Sequence, residues 1–470
     1  MRHTRPLSPI ALPAGLVALV AALTLTVSAT GQQQQQQQKP QQPTEVQLTI
    51  TGSPGAPPHY AVPDFLAATS DAEGAAAGAL IARVLWDDLQ YERELDLIPR
   101  DTYSSIPAAR STTDVPFDRW RELGAEGLVV GAVQRTANGM RVEVRLYQVQ
   151  TGRVAFSKQY EQSPGPGKNV NVRLFAHTIS DDIFEQQRAL KGVARTKIAF
   201  DSDRAGEVVS TVFTQRIGKE IYVCDYDGEH QVRLTFNRSL NISPAWSPDR
   251  RLIAFTSWAT GNADVFVAAT YQTLTVQRPA RGSNRVMNSL PAWSPDGERI
   301  AFVSDRDGND EVYVMNADGS NVHRLTNNQA IDSSPAWSPS GADIAFVSDR
   351  TGSPQIYVVN ADGGQAEAVT RESYCDRPTW SPAPYNEIAY TSRTAPNVFD
   401  IRIIEMATRK IRQVTFGERH NESPAYSPNG RHIAFTSNRS GRFQVYTVHR
   451  LGGDLRQLTT AGNNYMPNWR

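Results

Sequence analysis

The stretch LPAWSPDGERIAFVSDR, residues 290–306, decides the fold, because the chain says nearly the same thing six times. Alignment on the aromatic gives Trp246, Trp293, Trp337, Trp380, Tyr426 and Trp469, spaced 47, 44, 43, 46 and 43 residues apart. That period is close to one four-stranded blade of a β-propeller and too long for most solenoids of strands. A proline stands two residues before each aromatic: Pro244, Pro291, Pro335, Pro378, Pro424 and Pro467. The second half of the phrase starts at Ile198, Ile253, Ile300, Ile344, Ile388 and Ile433, each followed by alanine, an aromatic and, two further on, serine.

Side chains alternate across a strand, so isoleucine, aromatic and serine share one face while the alanine points at a neighbouring blade. Proline cannot donate to an interior ladder and belongs at the start of a strand or on an edge. The Pro-x-Trp strand is therefore expected innermost, lining a central channel. Third strands such as Val312-Tyr313-Val314 follow, then turns such as Asp318-Gly319, then fourth strands ending in Leu-Thr or Val-Thr. The first isoleucine half, at Ile198, has no Pro-x-Trp strand before it, and the last Pro-x-Trp, ending at Trp469, has no isoleucine strand after it. Each end lacks what the other holds. Pairing them closes six blades into a ring without open edges, and each blade buries its faces against two neighbours.

The chain has 470 residues, more than one core usually holds, so a second domain is expected before the ring. Arg2, His3 and Arg5 precede an uncharged apolar run from Ile10 to Val27, with small residues at Val27-Ser28-Ala29. That is the pattern of a cleavable signal peptide, residues 1–29, which directs export to the periplasm; the run is also long enough for an uncleaved anchor. Residues 30–44, with GQQQQQQQKPQQP, read as a disordered linker. Residues 45–192 read as a small α/β domain, and 193–470 as the propeller. In the former, VQLTI (47–51) and YAVPDF (60–65) read as strands, and Ser70 with Glu73 as a capping box. A helix to about Leu89 should bury Ile81, Val84, Leu85 and Leu89. FDRWRELG (117–124) reads as a second helix, and GLVVGAVQRT with MRVEVRLYQV as a hairpin about Ala137-Asn138-Gly139, with VAFSKQY as a further strand. A last helix should bury Leu174, Phe175, Thr178, Ile179 and Ile183 and stop at Gly192.

Composition excludes several functions. Removing residues 1–29 takes away Arg2 and Arg5 and no acid, leaving 46 basic against 48 acidic side chains, a net charge of −2. Nothing in that balance attracts nucleic acid. The two cysteines, Cys224 in a third strand and Cys375 in a loop three blades away, are expected too far apart for a disulfide. The eight histidines show no metal-ligand spacing. His177 and Asp181, four apart on the last helix, read as a surface pair rather than metal ligands. No cofactor and no metal is expected.

The Pro-x-Trp-Ser-Pro-Asp-Gly repeat, followed by Ile-Ala-Phe and Ser-x-Arg, resembles the WD40-like repeat of the TolB family of Tol-Pal envelope systems. Phe117 to Gly124, the strand from Gly127 to Gly131, and the segment Ala176-His177-Thr178-Ile179-Ser180-Asp181-Asp182-Ile183 are similar to that family's N-terminal domain. The resemblance runs from about Glu45 to Arg470, in the family's order of segments. It implies a non-catalytic periplasmic monomer whose propeller docks a peptidoglycan-associated (Pal-like) lipoprotein, and whose mature N-terminus contacts an inner-membrane TolA-like protein. It also implies a role in outer-membrane integrity and cell division. The glutamine tract stands where the family has its short partner-binding peptide, and Gln187 to Lys197 lacks the family's Thr-Gly at the helix end.

Loops entering each Pro-x-Trp strand and loops after Ser-x-Arg should share one face. Five residues before each aromatic lie Asn241, Asn288, Asp332, Cys375, Asn421 and Asn464, a candidate polar ring for partner contact. Such side chains also bond loop backbone readily. Arg204, Arg306, Arg350 and Arg439 are secondary candidates, with pairing to nearby acids as their structural role. Two rival functions remain. A propeller of a prolyl-oligopeptidase-like peptidase needs a G-x-S-x-G elbow, which the sequence lacks. A glycan- or peptidoglycan-fragment-binding channel, with a cation at Asp305 and Asp307, rests on weak spacing.

Overall fold

The computed structural model describes residues 56–68, 71–164, 170–210, 215–270, 286–417 and 419–470. The expected signal peptide, the glutamine-rich linker, the strand 47–51 and Ser70 lie outside the described residues. The N-terminal part is a six-stranded mixed sheet: β1 (His59–Ala61), β2 (Leu66–Ala67), β3 (Asp96–Leu97), β4 (Gly127–Thr136), β5 (Gly139–Gln148) and β6 (Arg153–Gln162). Its order is β3-β1-β4-β5-β6, with β2 also on β4; the contacts of β1 and β2 are parallel, and those of β4-β5-β6 antiparallel. Of the segment 60–65, expected as one strand, only residues 60 and 61 are in β1; the strand stops before Pro63, which has no N–H for a ladder, and β2 begins after the segment.

Helices α1 (Ala72–Tyr91) and α3 (Val172–Arg188) cover one face of this sheet, with Ile81, Val84, Leu85 and Leu89 buried against Val129, Val142 and Val144. The short α2 (Phe117–Glu122) covers the other, where Trp120 meets Leu128, Val130 and Tyr147. Asp71, not Ser70, caps α1: its carboxylate accepts from Gly74 N at 2.6 Å. Helix α3 ends before Gly192, at Ala189 in the left-handed region (φ 52°), and Leu174 is exposed rather than buried. Gly192 has a different task. A Cβ there would lie 2.2 Å from Asp181 Oδ1, so only glycine lets the chain pass the carboxylate that then accepts from Ala194 N and Arg195 N.

Six sheets follow. Blade 1 joins Asn464–Trp469, Lys197–Ser202, Glu220–Asp225 and Val232–Arg233. Blade 2 has Asn241–Trp246, Leu252–Ser257 and Asp264–Ala269. Blade 3 runs Asn288–Trp293, Arg299–Ser304, Glu311–Asn316, His323–Arg324, and blade 4 runs Asp332–Trp337, Asp343–Ser348, Gln355–Asn360, Glu367–Ala368. Blade 5 is Cys375–Trp380, Glu387–Ala395, Val398–Glu405, Ile411–Gln413, and blade 6 is Asn421–Tyr426, His432–Ser437, Gln444–His449, Arg456–Gln457. The chain ends pair antiparallel, Asn464 opposite Ser202 and Trp469 opposite Ile198. Lys197 and Arg470 exchange both backbone bonds, at 2.8 and 2.9 Å.

Each Pro-x-Trp strand is an edge of its sheet, as its proline demands, but the proline sits at an interior bulge rather than at the strand start. In blade 2 the ladder skips from Ile242–Thr256 to Ala245–Ala254. The residue before each proline, Ser243, Leu290, Ser334, Arg377, Ser423 or Met466, has φ between 50° and 55°. The bulge turns the strand so that its aromatic fills the space between blades. Trp246 packs with Ile253 and Phe255 of its own blade against Ala199 and Ile221 of blade 1. Trp469, Ile198 and Phe200 pack in the same way on Ala434 and Val445 of blade 6. The conserved spacing of alanine in the phrase thus leaves room for a neighbour's isoleucine and phenylalanine.

Candidate functional site

The six side chains expected as a polar ring are all fully buried. Asn241, Asn288, Asn421 and Asn464 each donate to a residue at or near the start of the third strand of the preceding blade: Glu220 (2.9 Å), Asp264 (2.7 Å), Asp400 (3.1 Å) and Gln444 (2.8 Å). Asp332 accepts from Asn328 at 2.6 Å. These residues tie blades together and offer no surface to a partner. Cys375, expected in a loop, opens the inner strand of blade 5; it and Cys224 are free and buried.

The arginines complete this belt. Arg204, Arg306, Arg350 and Arg439 each donate Nε to the serine two residues before, at 2.8–3.1 Å, and Nη2 to Asn464, Asn288, Asp332 and Asn421 of the same blade, at 2.7–2.9 Å. Each guanidinium also lies over two rings of its blade; for Arg306 these are Phe302 at 5.4 Å and Tyr313 at 4.7 Å. The contacts described are to serine, amide and aromatic face, and in blade 4 to a carboxylate, Arg350 to Asp332. Blade 5 has neither partner: Cys375 replaces the amide and Thr394 the arginine, and Glu372 takes over, bonding Ser392 and Arg402. Arg306→Ala is therefore expected to destabilise the fold by about 2 kcal/mol, through a lost cation–π contact and a buried amide left short of a donor. Chemical denaturation of the purified protein measures this.

A second set of partners was not legible as a site. Residues at or near the start of third strands, Glu220, Glu311, Gln355, Asp400 and Gln444, each accept from a threonine after the fourth strand: Thr235, Thr326, Thr370, Thr415 and Thr459. The signal lay in the recurring Leu-Thr and Val-Thr, which looked only like strand ends. Asp305 and Asp307 hold protein donors, Met287 N and the Tyr313 hydroxyl, rather than facing each other as a cation pair.

What the belt does is carry exposed residues on the face above it. Tyr374, Phe399, His420, Phe443 and Tyr465 form a continuous half-buried arc, with successive ring centroids 5.5, 5.2, 6.4 and 4.9 Å apart. Lys219 extends it, its ammonium 3.6 Å from the Tyr465 ring centroid and 2.8 Å from Asp201. Phe236, Met287, Ile331 and Phe416, in or beside the loops entering inner strands on this same face, are 61%, 46%, 50% and 70% exposed. Acids stand among them: Asp376 accepts from the Tyr374 hydroxyl at 3.2 Å, and Glu422 lies 3.1 Å from His420. Single exposed apolar residues are ordinary, but an aromatic arc with apolar neighbours at one mouth is the composition of a protein-contact surface.

The opposite end of the ring is occupied. A central channel of about 1390 Å³ is lined by the six Pro-x-Trp strands and bordered at their Trp-Ser-Pro end by Asp181, Lys191 and Arg195. There the N-terminal unit packs on blade 6. Tyr91 stacks on His432 with centroids 4.0 Å apart, and Arg431 donates to the backbone of Glu92 at 2.8 Å. Glu92 accepts from Val193 N at 2.9 Å, so it holds the linker as well. Burial, against the pull of Arg431, raises the Glu92 pKa to about 7. Burial also keeps His432 neutral and, with the charges of Arg93 and Arg431, pushes His449 down to about 4. His177 and Asp181 are not a surface pair: both are buried, His177 against Asp88 and Asp181 against the linker.

Comparison with known proteins agrees with this architecture. A family model described as the TolB beta propeller domain matches residues 184–401 and 373–470, and one described as the TolB amino-terminal domain matches 46–155. The Tol-Pal system protein TolB of Desulfosudis oleivorans is 34% identical over 209 residues, 44% of this chain and 44% of that protein. That of Anaeromyxobacter dehalogenans is 34% identical over 280 residues, 58% of this chain and 59% of that protein. The chain thus spans less than two thirds of the length of these curated relatives. The crystal structure of TolB from Acinetobacter baumannii matches with a TM-score of 0.70 at 22% identity, covering 90% of this chain and 98% of that one, which shows the shared fold.

Proposed function

The chain belongs to the TolB family of β-propeller proteins, and from that premise we propose that it is a non-catalytic docking platform of a Tol-Pal system. Its propeller face with the aromatic arc receives a peptidoglycan-associated lipoprotein, supporting outer-membrane integrity and division. The observation that carries this reading is the arc from Tyr374 to Tyr465 with the exposed Phe236, Met287, Ile331 and Phe416 beside it, on the face away from the N-terminal unit. The buried belt beneath keeps these loops rigid, which lowers the entropy cost of association. An interface of ordinary size, about 1,600 Å² in total, would cover the arc and its rim.

In this reading residues 1–29 direct export, 30–44 form a spacer, 45–192 and 193–470 are the two domains, and the mature N-terminus is the contact for a TolA-like protein. Among the described residues no helix is long and apolar enough to cross a membrane. Partner contact falls to the arc and its neighbours, because the six belt residues are buried.

Affinity capture from envelope extract with the immobilised mature protein should recover the lipoprotein. Phe399→Ala combined with Phe416→Ser is expected to weaken that binding at least about tenfold, as loss of an aromatic anchor does. Phe416 is 70% exposed, so its substitution leaves stability unchanged. Unaltered binding by the double variant, or calorimetric binding of muropeptides in place of the lipoprotein, would overturn the proposal.

A further inference from the structure

One buried group at the junction between the N-terminal unit and blade 1 is unused by a docking platform. His177 of α3 is 2% exposed. Its Nδ1 lies 2.9 Å from Asp88 Oδ2 of α1, and the other Asp88 oxygen accepts from the Tyr226 hydroxyl at 2.6 Å. Asp88 therefore works as an acceptor at both oxygens, and Nδ1 carries a hydrogen. The other ring nitrogen, Nε2, is buried with no hydrogen-bond partner. It faces Asp227 Oδ2 at 4.0 Å, in the turn that follows the third strand of blade 1. A bare nitrogen lone pair facing a carboxylate in a buried seam is two acceptors in opposition, which a positive charge between them resolves.

We propose that this charge is a proton on His177 Nε2, so that an imidazolium bridges Asp88 and Asp227 and acts as a pH-set latch between the N-terminal unit and the propeller. The surrounding charges decide between a proton and a metal ion. Asp225, Asp227 and His177 could together approach a cation. However, Lys197 and His230 already bond Asp225, and Arg173 bonds Asp227. Arg173 takes Asp227 and Lys197 takes Asp225, whereas the ion-pair partner of Asp88 is His177, so a single proton there supplies its counter-charge. A divalent ion would overshoot and displace two bases. His230 is half-exposed on the far side of Asp225, Arg456 reaches the seam over the Tyr91 ring, and Asp181 of α3 is turned to the linker.

Burial works against an imidazolium, but the hydrogen bond and charge of Asp88, with Asp227 and Asp225 beyond, outweigh it and raise the His177 pKa above its ordinary value. A group raised on folding contributes stability that is complete below its unfolded value, about 6.5, and is lost as pH rises through the folded one. The latch is closed below the ordinary imidazole value and opens as pH climbs through the raised one.

Nitrogen NMR of the histidine-labelled mature chain tests this directly. Nε2 of His177 is expected to be protonated at pH 7, and Asp227→Asn to lower its titration midpoint by about one pH unit or more. Hydrogen exchange across residues 189–196 and 225–230, corrected for intrinsic rates, should rise by up to about tenfold per pH unit above that midpoint. In His177→Gln the corrected rates at 225–230 should lose that rise, while 189–196 keeps the part set by Glu92, which accepts from Val193 N. Zn2+ alone, added at pH 7, should leave the Nε2 signal unchanged. A single neutral tautomer at pH 7, a midpoint indifferent to Asp227→Asn, or stoichiometric loss of the Nε2 proton to zinc would overturn the inference. None of these readouts involves the lipoprotein, so their failure is separate from failure of the docking proposal.

Discussion

Deleting residues 464–470 is expected to leave a chain that no longer unfolds in a single cooperative transition. The deletion removes the inner strand of blade 1 and exposes the ladder edge of Lys197–Ser202, which the last strand otherwise covers. It also removes Trp469, whose indole fills the space among Ile198, Phe200 and Ala434 and donates to Thr196 at 2.7 Å. Trp469→Ala alone should cost roughly 3–5 kcal/mol, since the ring has no way to collapse around the cavity. The full deletion also leaves the edge of Lys197–Ser202 open, a template for pairing between chains. Circular dichroism during urea denaturation, with gel filtration of the same samples, reads both effects. A truncated protein with the parent's midpoint and elution volume would show that the ring does not depend on its closing strand.

Arg431→Ala should be the most damaging single change at the junction, and its cost should depend on pH. Arg431 is 7% exposed and Glu92 is 2% exposed. The guanidinium donates to the Glu92 carbonyl, bonds Glu94, and lies 3.8 Å from the Glu92 carboxylate. Removing one partner of a buried ion pair leaves the other uncompensated, at about 3–5 kcal/mol. Burial already raises the Glu92 pKa to about 7, with Arg431 opposing the rise. Without Arg431 it rises further. A carboxyl raised on folding contributes stability below its ordinary value and loses it as pH climbs through the folded value. The variant should therefore lose about 3–5 kcal/mol at pH 8 but only about 1–2 kcal/mol at pH 5, where Glu92 is protonated and the losses left are hydrogen bonds and the part-exposed pair with Glu94. Arg431 also helps hold His432 and His449 down, so its removal lets both rise and shrinks the penalty at pH 5 further, in the same direction. Equal penalties at the two pH values would show that Glu92 is not the group left exposed to the loss.

The contrast between what the sequence revealed and what it concealed has a physical basis. Blade count, strand order and the pairing of the ends were legible because each depends on a local requirement repeated six times: an edge strand for proline, a small residue where blades crowd, an aromatic to fill the gap. The role of Asn288 and its counterparts was half legible. Their spacing marked them, but spacing does not report depth, and a residue at a strand's first position looks the same whether it faces a loop or the next blade. Ser-x-Arg concealed its meaning for a related reason. Arg306 reaches a serine, an amide and two rings, and only the amide and one ring lie outside its own strand, so no neighbouring acid in the sequence signalled the arrangement. The aromatic arc was missed although part of it follows the repeat register, Tyr374 and His420 each six before the repeat aromatic and Phe399 and Phe443 each one before Asp400 and Gln444, because the residue type at those positions changes from blade to blade. His177 was misjudged because helical spacing pairs it with Asp181, whereas packing pairs it with Asp88, 89 residues away.

The account's central claim is that partner binding occurs on the arc-bearing face and leaves the Trp-Ser-Pro end to the N-terminal unit. Hydrogen exchange of the mature protein, with and without the peptidoglycan-binding domain of the lipoprotein, tests it most directly. Protection should appear at residues 235–241, 372–376, 398–400, 415–421 and 463–465. Protection confined to the Trp-Ser-Pro turns, such as 246–249 and 337–340, with none across the arc, would contradict it.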